Sequence, residues 1–266
     1  MRRRALTLMF VPLPLLLVAC VSSTSPRQAP SAGETVPRAA TMDPTNPLAP
    51  TLLMREGQAL VAEDRVEEGL SRYRAALKLQ PTNPTIYNLI GQAELRRRDS
   101  VKALEAFNQA LTLSATFTDA RNNRGAAYVA IGQYSLAEAD FLAALTDNLY
   151  ANRAGVYYNL GAVYYARGNL SAAEENLRRA ATPAGPAEAY ALLGQVQERL
   201  EKVQLAESAF RAAVDRAPER VDLIMLLAGY LDRQGRKEEA RSLYRRVLEL
   251  GPGTPEAAEA RTLLGR

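Results

Sequence analysis

One pattern is written six times between about Pro50 and Pro252. A small residue opens the register at Gly57, Gly91, Gly125, Gly161, Gly194 and Ala228, with spacings of 34, 34, 36, 33 and 34. Twelve residues later a second small residue recurs: Gly69, Ala103, Ala137, Ala173, Ala206 and Ala240. Four further on stands a large apolar side chain: Tyr73, Phe107, Phe141, Leu177, Phe210 and Tyr244. Three beyond that comes Ala76, Ala110, Ala144, Ala180, Ala213 or Val247. A period near 34 in this register specifies a stacked helical array, because one unit cannot bury its apolar face alone. Such arrays present long surfaces to other proteins rather than closed pockets for chemistry.

Within each unit the apolar residues recur at three and four, which predicts two amphipathic helices. Arg121–Gly132 and Leu136–Thr146 form one such pair, with Gly132 at the turn. The small residues let the helices approach, and the following ring fills the gap. Thr254-Pro255 reads as an N-cap followed by Pro at the first helical position, so Glu256–Leu264 is expected to cap the array. With Pro81, Pro218 and Pro252 closing three units, the register resembles the tetratricopeptide repeat. The resemblance implies an all-α, right-handed α-solenoid of six repeats with a C-terminal capping helix. The third unit departs from it, with Arg121 where helix A usually opens on a ring. Ala115, Leu149 and Gly185 replace the closing Pro in three units, and two extra residues sit near Thr146–Arg153.

The expected organisation is a leader at 1–19, an acylated Cys and disordered linker at 20–49, repeats at 50–254 and a capping helix at 255–266. Arg2, Arg3 and Arg4 precede an apolar run, Ala5–Val18, too short to span a bilayer comfortably, which takes about 20 residues. The run ends Leu17-Val18-Ala19-Cys20, and Cys20 is the only cysteine. This resembles the lipobox of bacterial lipoproteins, which implies acylation of Cys20. The alternatives are an ordinary cleaved signal or an uncleaved anchor. Val21 in place of Asp after the Cys implies, by the lipoprotein rule, the outer membrane. Val21–Ala49 is rich in Ser, Thr, Pro and Ala and reads as a flexible tether. The chain carries 33 basic and 29 acidic residues, but three of the cations lie in the leader, so the remainder is close to neutral. Nucleic-acid binding therefore has no net electrostatic support.

Catalytic material is scarce. There is no His and no Trp, which removes His-based nucleophile pairs and the common zinc motifs. The pairs Glu67-Glu68, Glu174-Glu175 and Glu238-Glu239 are expected at helix B starts as solvated, dipole-complementing charges. No catalytic or metal site, cofactor or small-molecule substrate is expected. The resemblance implies that helix A lines a concave groove through positions 2, 5, 6, 9 and 12, counting the first small residue as 8. On that count the expected partner-binding residues are Asn88, Gln92, Leu95, Asn122, Asn123, Tyr158, Asn159 and Tyr165. The amides suit a peptide backbone, or else local bonding and solvation. Tyr158 and Tyr165, seven apart on one helix face, are an exposed anchor pair or else pack on a neighbouring helix B.

Leader, tether, six repeats and cap together resemble the type IV pilus pilotins. That resemblance implies an outer-membrane lipoprotein, facing the periplasm, that binds secretin subunits and promotes their assembly for pilus-dependent motility. The second reading is a lipoprotein adaptor that recruits cell-wall hydrolases or a periplasmic protease.

Overall fold

The computed structural model describes residues 46–265. Cys20, the leader and the linker up to residue 45 lie outside the described residues, and so does Arg266. Six helical hairpins follow one another in chain order. The first three are α1 (Ala49–Ala62) with α2 (Val66–Leu79), α3 (Pro84–Arg96) with α4 (Ser100–Leu113), and α5 (Thr118–Ala130) with α6 (Tyr134–Leu145). The next three are α7 (Arg153–Ala166) with α8 (Leu170–Ala180), α9 (Ala187–Arg199) with α10 (Val203–Arg216), and α11 (Val221–Arg233) with α12 (Lys237–Leu250). A last helix, α13 (Pro255–Leu264), lies against α12 and α11. Among the described residues each hairpin packs on the hairpins next to it in the chain, which is the solenoid arrangement.

The helix ends carry their own signals. Asn83, Asp99, Asn152, Asn169 and Thr254 each cap a helix by accepting a backbone N–H. Gly132, Gly168 and Gly235 turn between helices A and B at φ of 75°, 76° and 80°, a region that favours glycine. Helix α5 begins at Thr118, three residues before the expected Arg121. Arg121 has no ring to offer at helix A, but its guanidinium donates to the Ala115 carbonyl at 2.5 Å, where other units carry the closing Pro.

Hairpins close on the small–large register. A methyl built on Gly57, Gly91 or Gly125 would lie 2.4, 2.4 or 2.6 Å from the ring of Tyr73, Phe107 or Phe141 respectively. The buried apolar clusters each bridge successive units: Leu53, Tyr73 and Ile86 join units one and two, and Phe141, Val156 and Leu160 join three and four. The cluster between units two and three is the smallest, with only Ala103, Phe107 and Ala127 fully in it. At the far end Phe210, Ile224, Tyr244 and Ala257 run continuously into the capping helix.

The extra residues between units three and four form an ordered turn. Arg153 donates to the carbonyls of Leu145 and Asp147 at 2.8 and 2.7 Å, and Thr118 Oγ1 donates to Asp147 at 2.8 Å. Tyr150 donates to Asp119 at 2.8 Å. Leu149, at the site of a missing closing Pro, is 95% exposed.

Candidate functional site: the helix A face

Positions 5 and 6 of helix A do not look into open groove over most of the array. Asn122, Asn123 and Asn159 are 0% exposed and Asn88 is 4% exposed. They bond to one another across unit boundaries. Asn123 Nδ2 donates to Asn88 Oδ1 at 2.9 Å, and Asn159 Nδ2 donates to Asn122 Oδ1 at 3.2 Å. Position 5 of one unit thus meets position 6 of the next. These four amides are buried and bonded to one another across unit boundaries, which is the local bonding that the sequence left open beside a peptide contact. The reason is their desolvation. A buried amide needs a protein partner, and the neighbouring rung supplies it. The same contact is apolar at the other boundaries. Met54 and Leu89 share the cluster of units one and two, Tyr158 and Leu192 that of four and five, and Ala191 and Leu226 that of five and six.

Tyr158 is likewise buried, at 3% exposed, and not half of an exposed pair. It packs with Ala162, Leu192 and Val196. Burial pushes its phenol above the ordinary range, and the charge of Glu188 adds to this. Tyr165 does stay half-buried, packed at the edge of the same cluster. The Arg199 guanidinium lies over its ring, 5.2 Å from the centroid. Gln92 and Leu95 are also half-buried, with Leu95 at the edge of the Phe107 cluster. Of the eight expected binding residues, Gln92, Leu95 and Tyr165 are therefore the ones that reach solvent.

Position 13, the last turn of helix A, shapes the groove edge. Arg96, Arg199 and Arg233 occupy it in units two, five and six, and each reaches back to position 12 of the preceding unit. Arg96 donates to the Val61 carbonyl, Arg199 stacks on Tyr165, and Arg233 pairs with both oxygens of Glu198 at 2.9 and 3.0 Å. The 34-residue register alone would have found this series.

One acidic residue also differs from expectation. Glu174, in the second turn of α8, is buried and not solvated, because it faces unit five, whereas Glu175 beside it is exposed. It accepts from Lys202 at 2.6 Å and from Gln197 at 3.4 Å, both in unit five, and from Arg178 at 2.7 Å. Burial alone would raise its pKa, but the Lys202 and Gln197 hydrogen bonds and the charges of Arg178 and Lys202 hold it below the usual carboxylate range. Its equivalents one unit either side do the same work: Glu138 takes Arg167 at 2.5 Å, and Glu207 takes Arg236. Glu67, Glu68, Glu238 and Glu239 do stand exposed in first turns. Among the described residues no group of three or more His, Cys, Asp or Glu converges to hold a metal ion. No helix there is long and apolar enough to cross a membrane.

A tetratricopeptide repeat model matches residues 54–116, 122–189, 191–255 and 226–266, which is most of the chain. A stretch of 76 residues is 40% identical to the lipoprotein NlpI homolog of Haemophilus influenzae, covering 28% of this chain and 24% of that protein. The chain thus aligns with about a quarter of that relative's length. Among solved structures, PilF of Pseudomonas aeruginosa is similar at 18% identity and a TM-score of 0.67, over 80% of this chain and 97% of that one. PilW, a widely conserved type IV pilus biogenesis factor, is similar at 19% identity and a TM-score of 0.69, over 81% and 98%. At these identities the structural likeness concerns the fold: a right-handed solenoid of helical repeats.

Proposed function

The chain belongs to the tetratricopeptide repeat family, and on that footing we propose that it is an outer-membrane lipoprotein pilotin. In this reading it binds secretin subunits of the type IV pilus machine and promotes their assembly into the outer-membrane multimer. Acylated Cys20 holds the array at the periplasmic face, and the Pro-, Ser- and Thr-rich linker lets it search for its partner. The array acts by holding a protein and not by catalysis, as is usual for stacked helical repeats. One observation carries the reading. The six-unit array with its cap is matched over nearly the whole length of PilF and of PilW, 97% and 98% of those chains. Deletion of the gene should abolish heat-resistant secretin multimers on gels; unchanged multimers and normal pili would sink the proposal. Cys20→Ser should move the protein out of the membrane fraction and stop its labelling by a palmitate analogue.

The alternative of a lipoprotein adaptor for cell-wall hydrolases or a protease draws support from the stretch shared with the NlpI homolog. Affinity capture from solubilised envelopes separates the two readings, with secretin recovered in one case and peptidoglycan enzymes or a protease in the other.

A further inference from the structure

Position 12 changes character along the array. It is apolar in units one to four, as Val61, Leu95, Val129 and Tyr165, and acidic in units five and six, as Glu198 and Asp232. Val61, Leu95 and Tyr165 are half-buried, each at the edge of a different core cluster, and Val129 between them is buried in a fourth, so the stripe is partly covered by the fold. The two acids beyond it are already neutralised, Glu198 by Arg233 and Asp232 by Lys237 at 2.7 Å.

The charges beside the stripe are of the opposite kind. Arg55, at position 6 of the first unit, is exposed because no earlier unit covers it. Arg96 is spent on a backbone carbonyl, which leaves its charge uncompensated. Arg199 lies on the Tyr165 ring. None of the three has a carboxylate within salt-bridge distance among the described residues, although most arginines of the array do. The acid at the groove positions of units one to four, Asp119, accepts from Tyr150.

We propose that the groove of units one to four takes an acidic amphipathic segment of a protein partner. Its apolar side chains lie on the position-12 stripe, and its carboxylates meet Arg55, Arg96 and Arg199. The chemistry is charge complementarity over a desolvated strip: a guanidinium without an acid of its own accepts an incoming carboxylate with little to displace. This deepens the proposed function by giving the class of segment held, and it rests on the array being a protein-binding one.

Selection from a random 15-residue peptide display library on the immobilised full-length protein tests it. Enriched peptides should be net acidic and carry several large apolar residues. The triple variant Arg55→Glu, Arg96→Glu, Arg199→Glu should lose that enrichment at least tenfold, with unchanged helicity by circular dichroism. The triple Arg→Lys variant should keep most of it and guards against a merely structural loss. A basic or neutral consensus, no enrichment, or enrichment unaffected by the triple Glu variant overturns the proposal. The outcome is independent of secretin: acidic enrichment with normal secretin multimers in the deletion strain would refute the pilotin reading and leave this one standing.

Discussion

Adding the same methyl group at two helix A glycines should move stability in opposite directions. At Gly91, eighth of the 13 residues of α3, the new Cβ would lie 2.4 Å from Phe107 Cε1 and 2.7 Å from both Cδ1 and Cζ. Phe107 is fully buried, so its ring cannot swing aside into solvent. Overpacking of this kind costs about 1–3 kcal/mol, set against about 1 kcal/mol gained from replacing Gly in a helix interior. At Gly229, ninth of the 13 residues of α11, the nearest atom is the flexible tip of Arg233 at 3.4 Å, and only the propensity gain remains. A domain of this size shifts by about 2–4 °C per kcal/mol. Gly91→Ala should therefore lower the melting temperature by up to about 8 °C, and Gly229→Ala should raise it by about 2–4 °C. Unit six already carries Ala228 beside Tyr244 in the shared register, so ring placement and not residue type sets the cost. Thermal melts followed at 222 nm, with calorimetry, give both values. Shifts of the same sign would refute the argument that close approach at the first small position governs each hairpin.

Other substitutions probe the contacts between and within units. Asn88→Ala should cost about 1–3 kcal/mol in urea unfolding by removing the acceptor of the buried Asn123 amide. The double variant Asn88→Met with Asn123→Leu, which copies Met54 and Leu89 of the first boundary, should recover most of that; an additive double-mutant cycle would show that the amides are not coupled. Arg124→Ala should cost about 3 kcal/mol, because Asp140, with a side chain 7% exposed, loses both guanidinium bonds at 2.7 Å; a loss below about 1 kcal/mol would contradict this. Acid should loosen the outer ladder. Arg236 and Arg211 hold Glu207 below the usual range, and Lys202 and its neighbours do so for Glu174 against the effect of burial. A carboxylate lowered in the folded state stabilises fully above its unfolded value of about 4.3, and that share is lost as pH falls below it. Urea midpoints should be flat above about pH 5.5 and drop toward pH 3, and Glu174→Gln should flatten the drop; a midpoint that rises on acidification would reverse the assigned sign.

The periodicity of the chain alone determined the number of units, the helix pairs and the small–large contacts, because each rests on spacing within one repeat. Thr254-Pro255 announced the capping helix by the same local logic, and its hydroxyl does accept the Ala257 N–H at 3.2 Å. The fate of the polar side chains on helix A was decided only in three dimensions. Asn88, Asn122, Asn123 and Asn159 stand at register positions that a single helix cannot tell from groove-facing ones. Whether such a residue meets solvent or the next rung depends on how each hairpin is rotated against its neighbour. One residue of helix turns a side chain by about 100°, so a modest rotation between units separates a bound peptide's donor from a buried fastener. Glu174 teaches the same point on the outer face, where Lys202 arrives from the following unit, 28 residues away in sequence. Local pattern writes the units; the packing of one unit on the next chooses which polar groups remain for a partner.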